Sequence, residues 1–216
     1  MRNRFDEELF DLNKEIIEMG AMCEEAIKRA VEALKKHDIR LANNVKNGST
    51  CIDQMERQIE NRCLKLLLHE QPVARDLRLI SASLKMITDM ERIGDQAEDI
   101  AEIVTFLDVT GADEIDKLCD MADKAIKMVS DSVDAFVRKD LELAENVISA
   151  DDVVDNCFSD MKCVIIKWIS KHAASGEDAL DFLMIAKYLE RIADHATNIA
   201  EWVIYSINGT HPSKKV

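Results

Sequence analysis

Apolar residues recur at intervals of three and four from the start of the chain: Leu9, Leu12, Ile16, then Met19, Cys23, Ile27, Ala30, Val31 and Leu34. That spacing gathers them on one face of an amphipathic helix. The same period runs through the rest of the sequence. It breaks near His37-Asp38, Gln71-Pro72, Thr110-Gly111-Ala112-Asp113, Lys139-Asp140 and Ala174-Ser175-Gly176-Glu177. Between the breaks lie six segments of roughly 25–35 residues, each some 40–50 Å long at about 1.5 Å per residue. Pro72 suits the first turn of a helix, where a missing N–H costs nothing. Asn47-Gly48 falls inside the second segment and either kinks or interrupts it. Only 6 Gly and 2 Pro punctuate the chain, too few for the many tight turns of an all-β protein. The pattern predicts an all-α fold.

The six helices read as three helices used twice. A shift of 102 aligns Met19, Cys23, Ile27, Val31, Leu34 and Asp38 with Met121, Ala125, Val129, Val133, Phe136 and Asp140. The same shift aligns Leu41-Ala42, Val45 and Asp53 with Leu143-Ala144, Val147 and Asp155. Beyond the second helix of each half the offset becomes 99, which matches Glu91-Arg92-Ile93-Gly94-Asp95-Gln96-Ala97 with Glu190-Arg191-Ile192-Ala193-Asp194-His195-Ala196. Two tandem, pseudo-symmetric three-helix bundles are expected, residues 1–110 and 111–216.

Charge narrows the class. Lys and Arg number 28 against 42 Asp and Glu, a net charge of −14, while 47% of residues are apolar. The chain is foldable, and so acidic a surface argues against nucleic-acid backbone or anionic lipid as a partner. The longest run free of polar residues is Phe182 to Ala186, far short of a bilayer span. The N-terminus reads Met1-Arg2-Asn3-Arg4-Phe5-Asp6-Glu7-Glu8 and has no apolar core of the signal-peptide kind. A soluble cytoplasmic protein is expected. Cys23, Cys51, Cys63, Cys119, Cys157 and Cys163 form no CxxC pair, and most fall at apolar helical positions, where Cys acts as a small hydrophobe.

One stripe of the third helix starts apolar and turns acidic. Leu77, Ile80, Leu84 and Ile87 lead into Glu91, Asp95, Glu98 and Glu102, while a separate seam carries Ile93, Ala97, Ile100 and Val104. Carboxylates at i and i+4 share a face and repel each other, so stability alone gives no reason for them. A solvated helix face is the plain alternative. Register argues for more. If helices two and three form an antiparallel hairpin about Pro72, Asp53 lies opposite Glu91. In the second half, Asp155 with Glu190 and Asp151 with Asp194 centre next to a turn at His172-Ala173. Packed helix axes sit about 8–10 Å apart, so facing carboxylates can converge on a hard, oxygen-liking cation such as magnesium, manganese, calcium or iron. Each half would then hold one acidic site.

Other constellations are weaker. No histidine has an acid three positions before it, which excludes the Glu-x-x-His pairs of di-iron bundles. His69, His172 and His195 are expected at turns or on the surface. Arg92 and Arg191 are expected to pair with Asp95 and Asp194. Trp168, Trp202 and the methionines are assigned to packing. Arg75 and Arg78 are assigned to caps and surface pairs, with anion binding as the alternative. No nucleophile–base pair or phosphate-cradling Gly-rich loop stands out.

Gln71-Pro72-Val73-Ala74-Arg75-Asp76-Leu77-Arg78, followed by Glu91-Arg92-Ile93-Gly94-Asp95, resembles the PhoU family of phosphate-uptake regulators. The second half repeats the signature from Leu189 to Glu201, so the resemblance spans roughly residues 5 to 208. It implies paired three-helix bundles and E(D)xxxD motifs that bind metal, in some members as multinuclear iron clusters. It also implies a homodimeric cytoplasmic negative regulator of phosphate uptake and starvation signalling. The implied partners are the ATPase subunit of the phosphate ABC transporter and the phosphate sensor histidine kinase. The motif acids carried over are Glu91 and Asp95 in the first half and Asp151, Asp155, Glu190 and Asp194 in the second. Ser49 stands where the second half has Asp151, so only Asp53 remains of that pair, and the second half matches the four-acid pattern better. The metal is expected among iron, manganese, magnesium and zinc. A carboxylate-bridged metal hydrolase or redox enzyme, and a scaffold whose acids bind nothing, are the competing readings.

Overall fold

The periodic segments form helices in the computed structural model of the chain, which describes residues 2–69, 72–107, 112–171 and 176–212. Seven helices lie among them: α1 (Arg2–Lys36), α2 (Ile39–Lys46), α3 (Ser49–His69), α4 (Ala74–Val104), α5 (Ala112–Arg138), α6 (Leu141–Lys171) and α7 (Gly176–Asn208). The all-α expectation holds. The expected boundary at Gly111 and the turn at His172-Ala173 lie outside the described residues.

The breaks at His37-Asp38 and Lys139-Asp140 are the same device in each half. His37 and Lys139 take left-handed φ values of 49° and 54°. The following N–H groups then reach back, Asp38 to the Ala33 carbonyl at 2.9 Å and Asp140 to the Ala135 carbonyl at 2.9 Å. This closes the orphan carbonyls of α1 and α5. Each aspartate also opens the next helix. Asp38 Oδ1 accepts from the N–H groups of Arg40 and Leu41 at 3.0 Å, and Asp140 Oδ1 accepts from Leu143 at 3.0 Å.

Asn47-Gly48 interrupts the second segment. Asn47 ends α2 and the Gly48 N–H closes a turn onto the Val45 carbonyl at 2.9 Å. The corresponding Ser149-Ala150 runs on as unbroken α6. Glycine is about 1 kcal/mol less favourable than alanine in a helix, which tips the two halves to different outcomes.

In the first half α1, α2/α3 and α4 pack together, and in the second α5, α6 and α7 do. The halves join through α4 against α7 and α1 against α5. Helices α1, α4, α7 and α5 therefore form a central ring, with α2/α3 and α6 outside it. A single hydrophobic core threads both halves, from Leu12, Ile16 and Ile27 to Phe182, Leu189 and Ile199, all fully buried. The seam Ile93, Ala97, Ile100 and Val104 is fully buried as expected. Cys23 and Cys63 are core residues and Cys119 and Cys157 pack against the core, as expected of most of the cysteines, while Cys51 and Cys163 are exposed.

On the outer edge of the ring, α1 is clamped to α3 by a buried carboxylate. Glu15 accepts from Arg62 Nε and Nη2, both at 2.8 Å, and from Gln58 Nε2 at 2.7 Å. A two-pronged guanidinium satisfies a carboxylate that would be costly alone.

Helix α3 comes unusually close to α4 at Gly94. A Cβ there would lie 2.9 Å from Ile52 Cδ1 and 3.3 Å from Ile52 Cγ2. The second half solves the same contact by moving one methyl group: Ala193 stands at the Gly94 position and Val154 at the Ile52 position, and both are buried. Volume-conserving exchanges of this kind are the best tolerated in a close-packed core. We predict that Gly94→Ala and Ile52→Val are coupled. In urea unfolding, the double variant should exceed the sum of the single changes by about 0.5–3 kcal/mol; strict additivity would show that the two side chains do not compete for space.

Candidate metal centre

Ile52 and Gly94 each precede an acid by one residue, so their close contact brings acids together. One carboxylate oxygen from each of Asp53 on α3 and Glu91 and Asp95 on α4 lies within 4.8 Å of the others. All three side chains are half-buried. Glu91 and Asp95 share a face of α4 because they are four residues apart, and the hairpin register delivers Asp53 opposite them. Among the described residues this is the one set of three acids, cysteines or histidines so gathered.

The trio is electrostatically uncomfortable. The Glu91 carboxyl is pushed above the usual carboxylate range, first by burial and then by Asp95, with Glu56 and Asp53 adding. Arg92 opposes this. Its Nε stands 3.4 Å from Glu91 and its Nη1 donates to Asp95 at 3.2 Å. One guanidinium does not neutralise three acids. Glu56 is raised too, by burial, then Glu60, with Asp53 contributing. Farther along α4, Asp99 is raised by burial and by Asp95, Glu102 and Glu98. Glu102 itself is bonded to Lys46 of α2 at 2.8 Å.

These donors fit a hard cation. Every ligand atom is a carboxylate oxygen, the three come from two helices, and the positive charge would offset repulsion that the fold enforces. Asp53, Glu91 and Asp95 would hold it. Such an ion supplies concentrated positive charge and a fixed link between α3 and α4.

The second half gathers its acids differently. Burial, then Asp194 and Asp155, push Asp151 up to about 6, so these three sense one another as the hairpin register requires. Asp155 and Asp194 are exposed, however, and Glu190 is paired with Lys187. The Lys187 ammonium also sits 5.3 Å over the Phe158 ring. The first half has Thr88 where the second has Lys187, so Glu91 meets no such lysine. The sequence ranks the second half as the better four-acid match, whereas the first half holds the tighter cluster.

The α4–α7 contact carries polar residues whose role the sequence does not disclose. His195 Nδ1 lies 2.8 Å from Asp89 Oδ1, and Asn198 Nδ2 donates to the same oxygen at 3.1 Å. His195, expected at a turn or on the surface, is half-buried in the joint between the repeats. Arg191 stacks at 5.9 Å over Tyr188 and forms no ion pair with Asp194 among the described residues. His69 ends α3, and His172 lies outside the described residues. Trp168 packs 5.4 Å from Phe182 as expected of a core aromatic.

In metal-free protein Asp151 works against folding at neutral pH. Its carboxyl binds a proton more tightly folded than unfolded, so stability falls as pH rises from about 4, the ordinary carboxylate range, to about 6. Asp151→Asn should therefore raise the Tm at pH 7.5 by about 2–4 °C, the response to ~1 kcal/mol in a chain of this size. Near pH 4 the gain should vanish. Thermal melts with chelator at both pH values check this; an equal gain at both would contradict it.

Comparison with known proteins carries the same architecture. The family model described as the PhoU domain matches residues 16–104 and again 118–203. The phosphate-specific transport system accessory protein PhoU homolog of Clostridium acetobutylicum is 37% identical over 96% of each chain. The crystal structure of PhoU from Pseudomonas aeruginosa superposes with a TM-score of 0.91 at 35% identity, covering 95% of this chain and all of that one. The phosphate transport system regulatory protein PhoU from Streptococcus pneumoniae follows at 0.88 and 27%, covering 97% of this chain and 99% of that one. With the domain matched in both repeats and the fold shared end to end, the chain belongs to the PhoU family.

Proposed function

We propose that this protein is a non-enzymatic, metal-binding regulator of phosphate uptake and of phosphate-starvation signalling. The observation that carries the reading is the convergence of Asp53, Glu91 and Asp95 across α3 and α4, in a chain whose relatives are named as accessory proteins of phosphate-specific transport. A cation there, iron, manganese, magnesium or zinc, relieves the repulsion among the acids and holds the two helices at one spacing. Metal loading thereby sets the surface that a partner meets. Asp151, Asp155, Glu190 and Asp194 form the corresponding, looser site of the second half. Residues 1–110 and 111–216 act as the two bundles.

The partners under this reading are the ATPase subunit of the phosphate ABC transporter and the phosphate sensor histidine kinase, and the protein restrains both. It works in the cytoplasm as a homodimer and does not engage nucleic acid, as its charge of −14 favours. Among the described residues no helix is long and apolar enough to cross a membrane, so contact with the transporter runs through its cytoplasmic subunit.

Elemental analysis of protein purified without chelator, beside the Asp53→Asn/Glu91→Gln/Asp95→Asn variant, tests the metal. We expect bound metal in the parent and loss of at least one ion per chain in the variant. Co-purification of both with the transporter ATPase tests the regulation, with capture expected to weaken in the variant. A variant that folds, keeps its metal content and binds the ATPase unchanged would refute the reading. Turnover of phosphate esters by the parent, lost in the variant, would replace it with an enzyme.

A further inference from the structure

At the far end of α4 from the acids lies a cavity of about 380 Å³ whose polar wall is cationic. Arg75 and Arg78 reach it from the first two turns of α4, and Lys139 from the turn between α5 and α6. Helix α1 contributes Asn13 and the rim residue Phe10, and α7 contributes Ser206. The carboxylates of Asp6 and Asp76 also line it. Gathering three cations against two acids is unusual in a chain of net charge −14.

Arg75 and Arg78 do not make the surface pairs the sequence assigns to them. Arg75, Arg78 and Lys139 form no ion pair with any described residue. Arg78 Nε is buried and has no acceptor. A buried guanidinium N–H without an acceptor is costly, so the position selects for something that supplies one. Nor is this Arg78 a loosely placed side chain. The backbone passes over it at Gly209, with φ +80°, where a Cβ would stand 3.4 Å from Arg78 Cδ and Nε.

The backbone points the same way. Val73 caps α4 without any side-chain hydrogen bond, so among the described residues no side chain caps the start of that helix. The first turn of a helix carries partial positive charge. Leu9, Leu79 and Ile207 complete the wall with apolar surface, which strengthens the field of the cations inside. The repeat supplies a control. At the positions of Arg75 and Arg78 the second half has Ala174 and Glu177, so the paired bundle architecture does not itself require these arginines.

We propose that this cavity is a binding site for a phosphate group, either as the free anion or as a small phosphomonoester whose organic part lies against Phe10, Leu79 and Ile207. Two guanidinium forks, an ammonium and the first N–H groups of the helix match the several oxygens of a tetrahedral dianion. The site lies about 20 Å along α4 from Glu91, at about 1.5 Å per residue, and stands independently of the metal reading.

Isothermal titration of the full chain in chelator, at constant ionic strength, with inorganic phosphate and separately with phenyl phosphate, tests the proposal. Chelation removes any phosphate bound through metal at the acids, so the two readings fail separately. Saturable binding of either probe is expected, weakened about tenfold or more by Arg78→Gln and measurably by Lys139→Gln. The Lys139 variant, on an exposed turn, keeps the test valid if Arg78→Gln perturbs folding. Binding of inorganic phosphate identifies the free anion as ligand, and binding of phenyl phosphate alone identifies a phosphomonoester. Absence of binding by both at millimolar concentration, or affinities unchanged in both variants, would overturn the proposal.

Discussion

Helix α3 approaches α4 so closely at Ile52 and Gly94 that a single added methyl group would collide. That contact sets the spacing of the acids one residue farther along each helix. Three carboxylates within 4.8 Å of one another repel, and burial strengthens the repulsion by withdrawing water. Arg92 offsets only part of it. The hairpin is thus held together by its apolar seam and strained at its acidic edge, an arrangement that a hard cation would convert from a liability into a cross-link. Under the proposed function, a bound ion would act on the same two helices that the core already joins.

The two repeats meet through α4 and α7, and there identity between halves gives way to complementarity. These helices run antiparallel, with Asp89 beside His195 and Asn198 at one end and Asp99 near Tyr188 and Arg191 at the other. A pseudo-two-fold joint made of identical residues would set like against like. The matching positions carry unlike residues, Asp89 with Tyr188, Gln96 with His195 and Asp99 with Asn198, and this lets Asp89 bond both His195 and Asn198 across the joint. This joint and the shared core tie the first half to the second.

Much of this was legible in the residues. The helical period, the paired stops at His37-Asp38 and Lys139-Asp140, and the hairpin register that sets Asp53 against Glu91 all follow from local rules. What was hidden depends on tertiary contact. The outcome at Asn47-Gly48 turned on one glycine whose helical cost depends on what the neighbouring turn could bond. The tighter cluster fell in the half with fewer motif acids, and a side chain off the motif marks the difference: Lys187 pairs with Glu190, where the first half has Thr88. The Asp89–His195 bond had a readable signal in the positions where the repeat alignment fails. Arg78 gave none, since part of its surroundings comes from Gly209, more than a hundred residues away in sequence.

Hydrogen–deuterium exchange of the chelated protein, with and without manganese, addresses the central claim most directly. If a cation closes the α3–α4 edge, protection should rise around Asp53 and from Glu91 to Asp95, and rise less at the corresponding residues of α6 and α7. Protection that is unchanged by metal, or that rises equally throughout the chain, would contradict the account.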